Sequence, residues 1–318
     1  MLLDTPTLYY RAFFAVPDSI TAPDGRPVNA VRGTLDFITH LVTHYQPDRL
    51  IACFDADWRP AFRVSLLPSY KAHRVVESAG PAAAVVPGAA SASVEEVPDT
   101  LTPQVEMLLE VLAAFGIADG WAPGFEADDA IAAYAALHAA QDGGGGPVDV
   151  VTGDRDMFQL ISDAAEVRVL NIARGVAKLE VLTDAALAAK YGVTGSQYAD
   201  FATLRGDPSD GLPGVAGVGE KTAAALINEY GPLADLLAAA DDPASGLKPA
   251  VRKKLNEARD YLAIAPGVVR VRADAPVTPA DSTLPTTPAH PEQLEELAER
   301  YGLGSPVKRL TKALASAH

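Results

Sequence analysis

Short apolar runs alternate with longer stretches of helical character through the first half of the chain. Three runs predict buried strands: Leu2–Asp4, Leu50–Phe54 and Val148–Val151. Three longer stretches predict helices: Val28–Tyr45, Thr102–Phe115 and Ala127–Ala140. Because strands alternate with helices, this pattern predicts an α/β fold, in which a parallel sheet carries helices on both faces.

The rest of the chain differs in character. The stretch from Val75 to Thr100 is rich in Ala, Pro, Ser and Val without clear periodicity, which predicts a flexible segment. Residues after Tyr191 predict helices, interrupted by a glycine-rich turn at Gly214–Gly219. The Pro- and Thr-rich residues 275–290 predict a linker, which leads to a final helix at Pro291–Tyr301.

Acidic side chains follow strands, begin helices or lie in turns at four places along the chain. They are Asp4 and Asp55; Glu126, Asp128 and Asp129; Asp154 and Asp156; Asp207 and Asp210. Taken singly, each acid is typical of a helix cap or a turn. Because ligand sites of open α/β sheets lie beyond the carboxyl ends of the strands, the four clusters together predict a shared, carboxylate-lined crevice.

Such a crevice needs cations, because neighbouring carboxylates raise one another's pKa. A site built from oxygen atoms, without Cys or His, suits Mg²⁺ or Mn²⁺ and not zinc. The acids are more numerous than one ion requires, which predicts two ions about 3.5–4 Å apart, as in sites that cleave phosphodiesters. Residue types and placement therefore predict metal-dependent phosphodiester hydrolysis.

Basic side chains near the predicted crevice fit the same chemistry. On the first turn of a helix, Lys71 and Arg74 would share a face and could contact a phosphate. Arg11 stands about two helical turns after Asp4 and could face the same crevice. The alternative for each is an ordinary solvated surface cation.

The glycine-rich segment Gly211–Thr222 opens a predicted helix. It is not a nucleotide-binding P-loop, because Glu220 separates Gly219 from Lys221 and no apolar strand precedes it. A glycine-rich hairpin between two helices can present backbone N–H groups to a DNA phosphate, with Lys221 as a point charge. A simple helix–helix turn is the alternative.

Composition at first argues against nucleic acid as a ligand. The chain has 26 Lys and Arg against 41 Asp and Glu, a formal net charge of −15 and a pI near 4.8. However, no Lys or Arg stands between Arg74 and Arg155, so the two flanks of this acidic middle can carry basic patches. The single cysteine, Cys53, excludes an internal disulfide and indicates a reducing compartment. With no visible signal peptide or membrane-spanning run, we expect a cytoplasmic protein without a membrane partner.

Seven strings together resemble the bacterial 5′-nuclease family, which comprises the 5′→3′ exonuclease domain of DNA polymerase I and its stand-alone flap-endonuclease relatives. The strings are LLDTPTLYYRAFFA, FDADWRPAFR, SYKAHR, GFEADDAIA, VTGDRDMFQL, LRGDPSDGLPGVAGVGEKTA and LKPAVRKKL. They occur in the family's order through most of the chain. The resemblance implies a monomeric 5′→3′ exonuclease and 5′-flap endonuclease of DNA replication and repair. Its substrates would be DNA with 5′ flaps, nicks or free 5′ ends.

The resemblance also implies an architecture. The sheet would be PIN-like, within a nuclease core over residues 1–182. A helical arch would span about residues 68–100. A helical DNA-binding region over residues 183–318 would contain a helix–three-turn–helix element at about 200–231. The absence of Lys and Arg after Arg74 departs from the commonly basic arches of the family.

The resemblance assigns roles residue by residue. The implied ligands of two or three divalent ions are Asp4, Asp55, Glu126, Asp128, Asp129, Asp154, Asp156, Asp207 and Asp210. The implied catalytic residues are Lys71, Arg74, Asp4, Asp55 and Asp128. The implied DNA contacts are Arg11, Tyr70, Lys71, Arg74, Gly214, Gly217, Gly219, Lys221, Thr222, Arg252, Lys253 and Lys254. Tyr70 would stack on DNA, and a K⁺ could sit on carbonyl groups of the Gly214–Gly219 hairpin.

Two other functions remain open from the residues. A phosphatase of the haloacid-dehalogenase type is suggested by Asp55 and Asp57, a D-x-D motif after a strand, although the expected downstream Ser/Thr and Lys strings are missing. A non-catalytic DNA-structure-binding protein would use its acids only to cap helices.

Overall fold

A six-stranded sheet forms the centre of the molecule in the computed structural model, which describes residues 1–75, 95–140 and 146–316 and the backbone of 82–83 and 90–91. The strands are β1 (Leu2–Asp4), β2 (Ile51–Cys53), β3 (Ala82–Ala83), β4 (Ala90–Ser91), β5 (Ala118–Gly120), β6 (Val148–Thr152), β7 (Val167–Asn171) and β8 (Glu180–Leu182). The central sheet has the order β5–β2–β1–β6–β7–β8, while β3 and β4 pair separately as an antiparallel ladder. All neighbours in the central sheet are parallel except β7 and β8.

Helices cover both faces of this sheet and extend beyond it. They are α1 (Thr5–Ala15), α2 (Asn29–Tyr45), α3 (Ala61–Leu66), α4 (Thr102–Phe115), α5 (Ala127–Ala139), α6 (Asp184–Tyr191), α7 (Gly195–Arg205), α8 (Glu220–Tyr230), α9 (Leu233–Asp241), α10 (Pro249–Glu257), α11 (Arg259–Ile264), α12 (Pro266–Val269), α13 (Pro291–Arg300) and α14 (Gly304–Ser316). Among the described residues, no helix combines the length and apolar character that a membrane crossing needs.

Alternation along β1 divides the interior into two hydrophobic cores. Leu2 packs on one face of the sheet with residues of α5, α7 and α8. Leu3 packs on the opposite face with residues of α2, α4 and the C-terminal helices. Since successive side chains of a strand point to opposite faces, the two adjacent leucines of β1 contribute to both cores. The predicted parallel sheet with helices on both faces is confirmed.

Several predicted elements agree with the structure and others were missed. The predicted strands and helices of the first half all exist, with boundaries that differ by at most two residues. Sequence inspection missed β5, β7 and β8. In β7 the apolar run is interrupted by Arg168, and β5 has the sequence Ala-Asp-Gly, so neither shows the short apolar run that marked the other strands. The predicted helical arch falls largely on residues 76–94, which lie outside the described residues apart from β3 and β4.

The C-terminal part of the chain differs from the predicted organisation. The predicted linker at 275–290 is bound to the sheet region, where the Leu50 N–H donates to the Ser282 carbonyl at 2.8 Å and the Leu284 N–H donates to the Asp48 carbonyl at 2.9 Å. Helices α13 and α14 then pack on α4 and α2, because both are amphipathic and α2 has a broad apolar face. Helices α13 and α14 therefore pack with the α/β core, although the predicted division at residue 183 groups them with the helical region.

Candidate active site

Five of the predicted carboxylates, from four separate segments, line one crevice of about 560 Å³ at the carboxyl edge of the sheet. They are Asp4, Asp55, Glu126, Asp128 and Asp154, and Arg11, Lys71 and Arg74 line the same crevice. The parallel strand order explains this convergence, because β1, β2 and β6 are neighbours and the segments that follow them emerge at the same edge. The predicted crevice is therefore present, and it gathers residues more than a hundred positions apart.

Asp4 ends β1 and begins α1, and hydrogen bonds hold it in place. One carboxylate oxygen accepts from the Thr7 N–H at 3.1 Å, and the other accepts from the hydroxyls of Thr7 and Thr152. Burial raises the pKa of Asp4, and these hydrogen bonds oppose that rise. The side chain therefore caps the helix and faces the crevice at the same time.

Two other acids of the crevice, Asp128 and Asp55, have raised pKa values. Burial and the charges of Asp154 and Asp4 raise the pKa of Asp128. Burial and the charge of Glu126 raise the pKa of Asp55 to about 7, against the opposing charge of Lys71. Closely spaced carboxylates of this kind are costly to ionise together unless a cation is present.

A second group of acids, Asp156, Asp207 and Asp210, interacts with Asp154 through charge. Burial and the charges of Asp154, Asp210 and Asp207 raise the pKa of Asp156. Burial raises the pKa of Asp210 to about 6. The charge of Asp154 therefore acts on both groups, although Asp156, Asp207 and Asp210 lie outside the described lining of the crevice.

The carboxylate oxygens of the crevice are suitable ligands for divalent cations, although some of them accept hydrogen bonds from other side chains of the protein. In the described part of the chain, no three His, Cys, Asp or Glu side chains are arranged as a ready site for one ion. The reason is visible in the hydrogen bonds: Glu126 accepts from Tyr70, Lys71 and Arg63, and Asp4 accepts from two threonine hydroxyls. Buried, mutually repelling carboxylate oxygens are nevertheless the ligands that Mg²⁺ and Mn²⁺ prefer.

Asp129 does not belong to the crevice, contrary to prediction. Its two oxygens accept from Arg63 Nη1 and Nη2 at 2.7 Å, and they also accept from the backbone N–H groups of Arg272 and Glu126. Consecutive helical residues point about 100° apart, so Asp128 faces the crevice while Asp129 faces the fully buried Arg63. The structure therefore gives no support to the assignment of Asp129 as a metal ligand.

Tyr70 also has a different place from the one predicted. It is only 4% exposed, and its hydroxyl donates to Glu126 Oε2 at 2.8 Å. This burial contradicts the prediction that its ring stacks on DNA. The ring instead packs in the core while the hydroxyl orients Glu126.

Lys71 and Arg74 connect the crevice to the helical region. The Lys71 ammonium pairs with Glu126, and its backbone N–H donates to the Asp210 carbonyl at 3.1 Å. Arg74 lies 3.3 Å from Asp210 and remains partly exposed. Ser69 approaches Gly211 closely: a Cβ on Gly211, whose φ is +76°, would lie 2.2 Å from the Ser69 carbonyl oxygen. Only glycine therefore lets these two segments meet.

Arg11 lies on α1 beside the acids. Its Nη2 donates to the Ala173 carbonyl at 3.1 Å, and its Nε is buried without a hydrogen-bond partner among the described residues. A buried N–H that lacks an acceptor is costly, so a ligand oxygen in the crevice would be a favourable partner.

The glycine-rich hairpin joins α7 to α8 as predicted. Val215 and Val218 are buried and anchor it, while Gly219, Lys221 and Thr222 are exposed at the start of α8. No side chain caps this helix start, so its first N–H groups are available. Backbone amides and Lys221 are therefore placed to meet an anion.

The predicted basic cluster of α10 is only partly directed at the hairpin. Lys254 Nζ donates to the Gly217 carbonyl at 3.0 Å. In contrast, Arg252 donates to Ser245, and the exposed Lys253 lies 3.7 Å from Glu257. One hairpin carbonyl that a K⁺ would use already has an ammonium group beside it.

Sequence reasoning missed three side chains that shape the site. Arg63 is buried between Glu126 and Asp129, and Thr152 donates to Asp4. Glu95 lines the crevice and accepts from Tyr10. Arg63 and Thr152 both occur in the matching strings, but nothing in their local pattern indicates burial beside a carboxylate.

The fold and the site together define a class of protein. Carboxylates and basic side chains meet at one edge of a parallel sheet, and a helical hairpin is attached to it, as is typical of metal-dependent enzymes that cleave phosphodiesters. Family models agree: the N-terminal resolvase-like domain of 5′-3′ exonucleases matches residues 1–192, and their C-terminal SAM fold matches residues 193–292. The chain therefore belongs to the 5′-3′ exonuclease family.

Individual relatives support this placement. The chain is 55% identical over 318 residues to a 5′-3′ exonuclease of Streptomyces coelicolor, and the alignment covers 99% of this chain and 100% of the relative. It is 38% identical over 325 residues to DNA polymerase I of Mycobacterium tuberculosis, which covers 100% of this chain but 32% of the polymerase. The fold is similar to that of the bacteriophage T5 flap endonuclease in a complex with DNA and metal ions, with a TM-score of 0.61, 18% identity and coverage of 100% of this chain and 98% of that chain.

Proposed function

We propose that this protein is a structure-specific 5′-nuclease, which acts as a 5′→3′ exonuclease and a 5′-flap endonuclease on DNA. The observation that carries the proposal is the single crevice in which Asp4, Asp55 and Asp128 meet Lys71 and Arg74. Membership of the 5′-3′ exonuclease family and the S. coelicolor relative of that name support it.

The carboxylates would hold two or three divalent ions, Mg²⁺ or Mn²⁺. Asp4, Asp55, Glu126 and Asp128 would serve the first ion, and Asp128, Asp154 and Asp156 the second. Asp207 and Asp210 would support the second ion or a third. When bound, such ions supply activation of the attacking water and neutralisation of the charge on the phosphate. Glu126 must exchange its contact with Lys71 for a ligand role, which frees the Lys71 ammonium to contact DNA.

The cations of the crevice bind and orient the scissile phosphate. Arg11 offers its unpartnered Nε, Arg74 is partly exposed, and Lys71 pairs with Glu126 in the same crevice. Charge-assisted hydrogen bonds of this kind are stronger than neutral ones and fix the phosphate geometry. These side chains therefore position the backbone without reading its sequence.

Duplex DNA would be held at a distance from the crevice by the hairpin. Gly214, Gly217 and Gly219 permit close approach of the backbone, and Lys221 and Thr222 at the start of α8 contact phosphates. From α10, Arg252, Lys253 and Lys254 add positive charge. We do not include K⁺ in this proposal, because Lys254 already supplies a cation at Gly217.

The substrates would be DNA with 5′ flaps, nicks or free 5′ ends, encountered in replication and repair. The protein would act as a monomer in the cytoplasm, without a membrane partner. The phosphatase alternative loses support, since Asp57 accepts from the Arg59 N–H and lies outside the described lining of the crevice. The non-catalytic alternative also loses support, since acids that only cap helices would have no reason to converge from four segments on one crevice.

The proposal is tested by substrate choice. The protein is incubated with a 5′-flap duplex, a 3′-flap duplex and p-nitrophenyl phosphate, with Mn²⁺ or Mg²⁺ and in parallel with EDTA. We expect cleavage of the 5′-flap duplex that depends on the metal and little reaction of the other two substrates. Equal cleavage of the 3′ flap, or no cleavage of either DNA, contradicts the proposal.

A further inference from the structure

Arg63 is buried at 2% exposure on α3, and its guanidinium donors all have acceptors. Its Nε donates to the Val268 carbonyl at 3.0 Å. Its Nη1 donates to Glu126 Oε2 and to Asp129. Its Nη2 donates to Asp129 at 2.7 Å and to the Arg270 carbonyl at 3.5 Å. A buried arginine is tolerated only when its charge is paired and its donors are used. Here both conditions are met by residues from distant parts of the chain.

These contacts join three elements of the structure. Arg63 belongs to α3, which leads to the cations Lys71 and Arg74. Glu126 and Asp129 belong to the start of α5, at the carboxylate crevice. The carbonyls of Val268 and Arg270 belong to α12 and the residue after it, where the helical region meets the α/β core.

Asp129 extends the connection in both directions. Its oxygens accept from the backbone N–H of Arg272 at 2.8 Å and of Glu126 at 3.3 Å. Arg63 therefore holds the Glu126 side chain directly, and it holds the Glu126 backbone through Asp129. Tyr70 and Lys71 also donate to the Glu126 carboxylate, but among these three donors only Arg63 also binds Asp129, which accepts from the Glu126 backbone N–H.

We propose that Arg63 is a positioning residue for the nuclease reaction. It holds Glu126 at the metal-binding edge of the sheet and fixes the position of Glu126 relative to the helical region. This inference rests on the proposed nuclease function. A lysine at position 63 would keep the positive charge, but it lacks the planar fork that reaches Glu126, Asp129 and Val268 together. We therefore expect the reaction to depend on the planar shape of the guanidinium group and not only on its positive charge.

The competing view is that Arg63 only stabilises the fold, and steady-state cleavage of 5′-flap DNA separates the two. We expect Arg63→Lys to lower kcat at least tenfold with KM within threefold of the unchanged protein. We also expect the Mn²⁺ concentration that gives half the maximal rate to rise several-fold, and the dissociation constant of Mn²⁺ for the DNA-free protein, measured by isothermal titration calorimetry, to rise by a similar factor. The matched control is Val269→Ala, which removes a buried side chain from α12, the helix whose Val268 carbonyl Arg63 binds, but removes none of the Arg63 contacts. It should keep kcat within threefold.

Asp129→Asn provides a second variant if Arg63→Lys does not fold. It removes one oxygen that Arg63 binds, and it should give the same loss of kcat and the same shift in Mn²⁺ dependence. A kcat loss smaller than tenfold in the folded variants, a loss confined to KM, or an equal loss in Val269→Ala would overturn the inference. If the unchanged protein fails to cut 5′-flap DNA, the proposed function itself fails, and the inference with it.

Discussion

Replacement of Asp55 by asparagine should make the metal-free protein more stable. Burial and the neighbouring Glu126 raise the pKa of Asp55 from 3.8 to about 7. Since one pKa unit corresponds to about 1.4 kcal/mol, the ionised carboxylate costs the folded protein at most about 4 kcal/mol above pH 7. Asp55 is partly exposed and the cluster can relax, so we expect a gain of about 2–4 kcal/mol for Asp55→Asn. Asparagine can still accept from the Ala127 N–H, which now bonds to Asp55 at 2.8 Å.

The pH dependence of this gain follows from the sign of the shift. The pKa is higher in the folded protein, so the folded state binds more protons than the unfolded state between pH 4 and 7, and the stability of the unchanged protein falls as pH rises through that range. The advantage of Asp55→Asn should therefore be small near pH 4 and complete above pH 7. Thermal unfolding in EDTA at pH 5 and pH 8 measures it, with an expected rise in Tm at pH 8 of roughly 3–6 °C.

The matched control is Asp24→Asn, on the surface. Arg26 beside it lowers the pKa of Asp24, so its removal should not raise Tm. A lower or unchanged Tm for Asp55→Asn at pH 8, or the same difference at both pH values, would refute the reasoning that the carboxylate edge carries unfavourable charge until a cation binds. With Mn²⁺ present, the unchanged protein should gain more in Tm than Asp55→Asn.

Three further substitutions test separate parts of the structure. Lys71→Met removes the ammonium beside Glu126 and should lower the single-turnover rate on 5′-flap DNA by about 10²–10³-fold. Lys221→Ala should weaken DNA binding equally for all sequences, and in fluorescence anisotropy it should reduce the slope of log K against log salt by about 1. Gly211→Ala places a Cβ 2.2 Å from the Ser69 carbonyl at a φ of +76°. It should lower the free energy of unfolding by about 2 kcal/mol or more, measured by urea unfolding.

Each of these has a control in the chain. Lys178→Met and Lys308→Ala remove exposed lysines away from the crevice and the hairpin. Gly25→Ala has a similar positive φ of +88° but open space around its Cβ. Unchanged cleavage by Lys71→Met, an unaltered salt slope for Lys221→Ala, or equal destabilisation by the two glycine variants would contradict the corresponding assignment.

Local patterns predicted the elements whose burial is uniform. The apolar run of β1 and the periodic α2 were found with accurate boundaries, because their side chains are buried in a regular way. Strand β5 was missed because one of its three residues is polar and because it is defined by its hydrogen bonds to β2, which the local sequence does not reveal. The packing of α14 on α2 depends on a contact between residues almost three hundred positions apart, which no local pattern records.

The site was predictable in its composition but not in its internal contacts. Convergence of the acids followed from the rule for parallel sheets, and it placed Asp4, Asp55 and Asp128 together correctly. The adjacent Asp128 and Asp129 look equivalent in sequence. Their different roles depend on Arg63, which approaches from a separate helix and binds only one of them. Tyr70 was placed on the wrong surface for the same reason, since its burial against Glu126 is a tertiary contact.

The most direct test of the account is cleavage and binding by Asp128→Asn. Asp128 faces the crevice, and the charges of Asp154 and Asp4 bear on it most strongly. We expect this variant to lose metal-dependent cleavage of 5′-flap DNA by at least a thousandfold, while its affinity for the same DNA, measured with Ca²⁺, stays within threefold of the unchanged protein. Cleavage at the normal rate would contradict the central claim that this carboxylate cluster is the metal-binding catalytic centre.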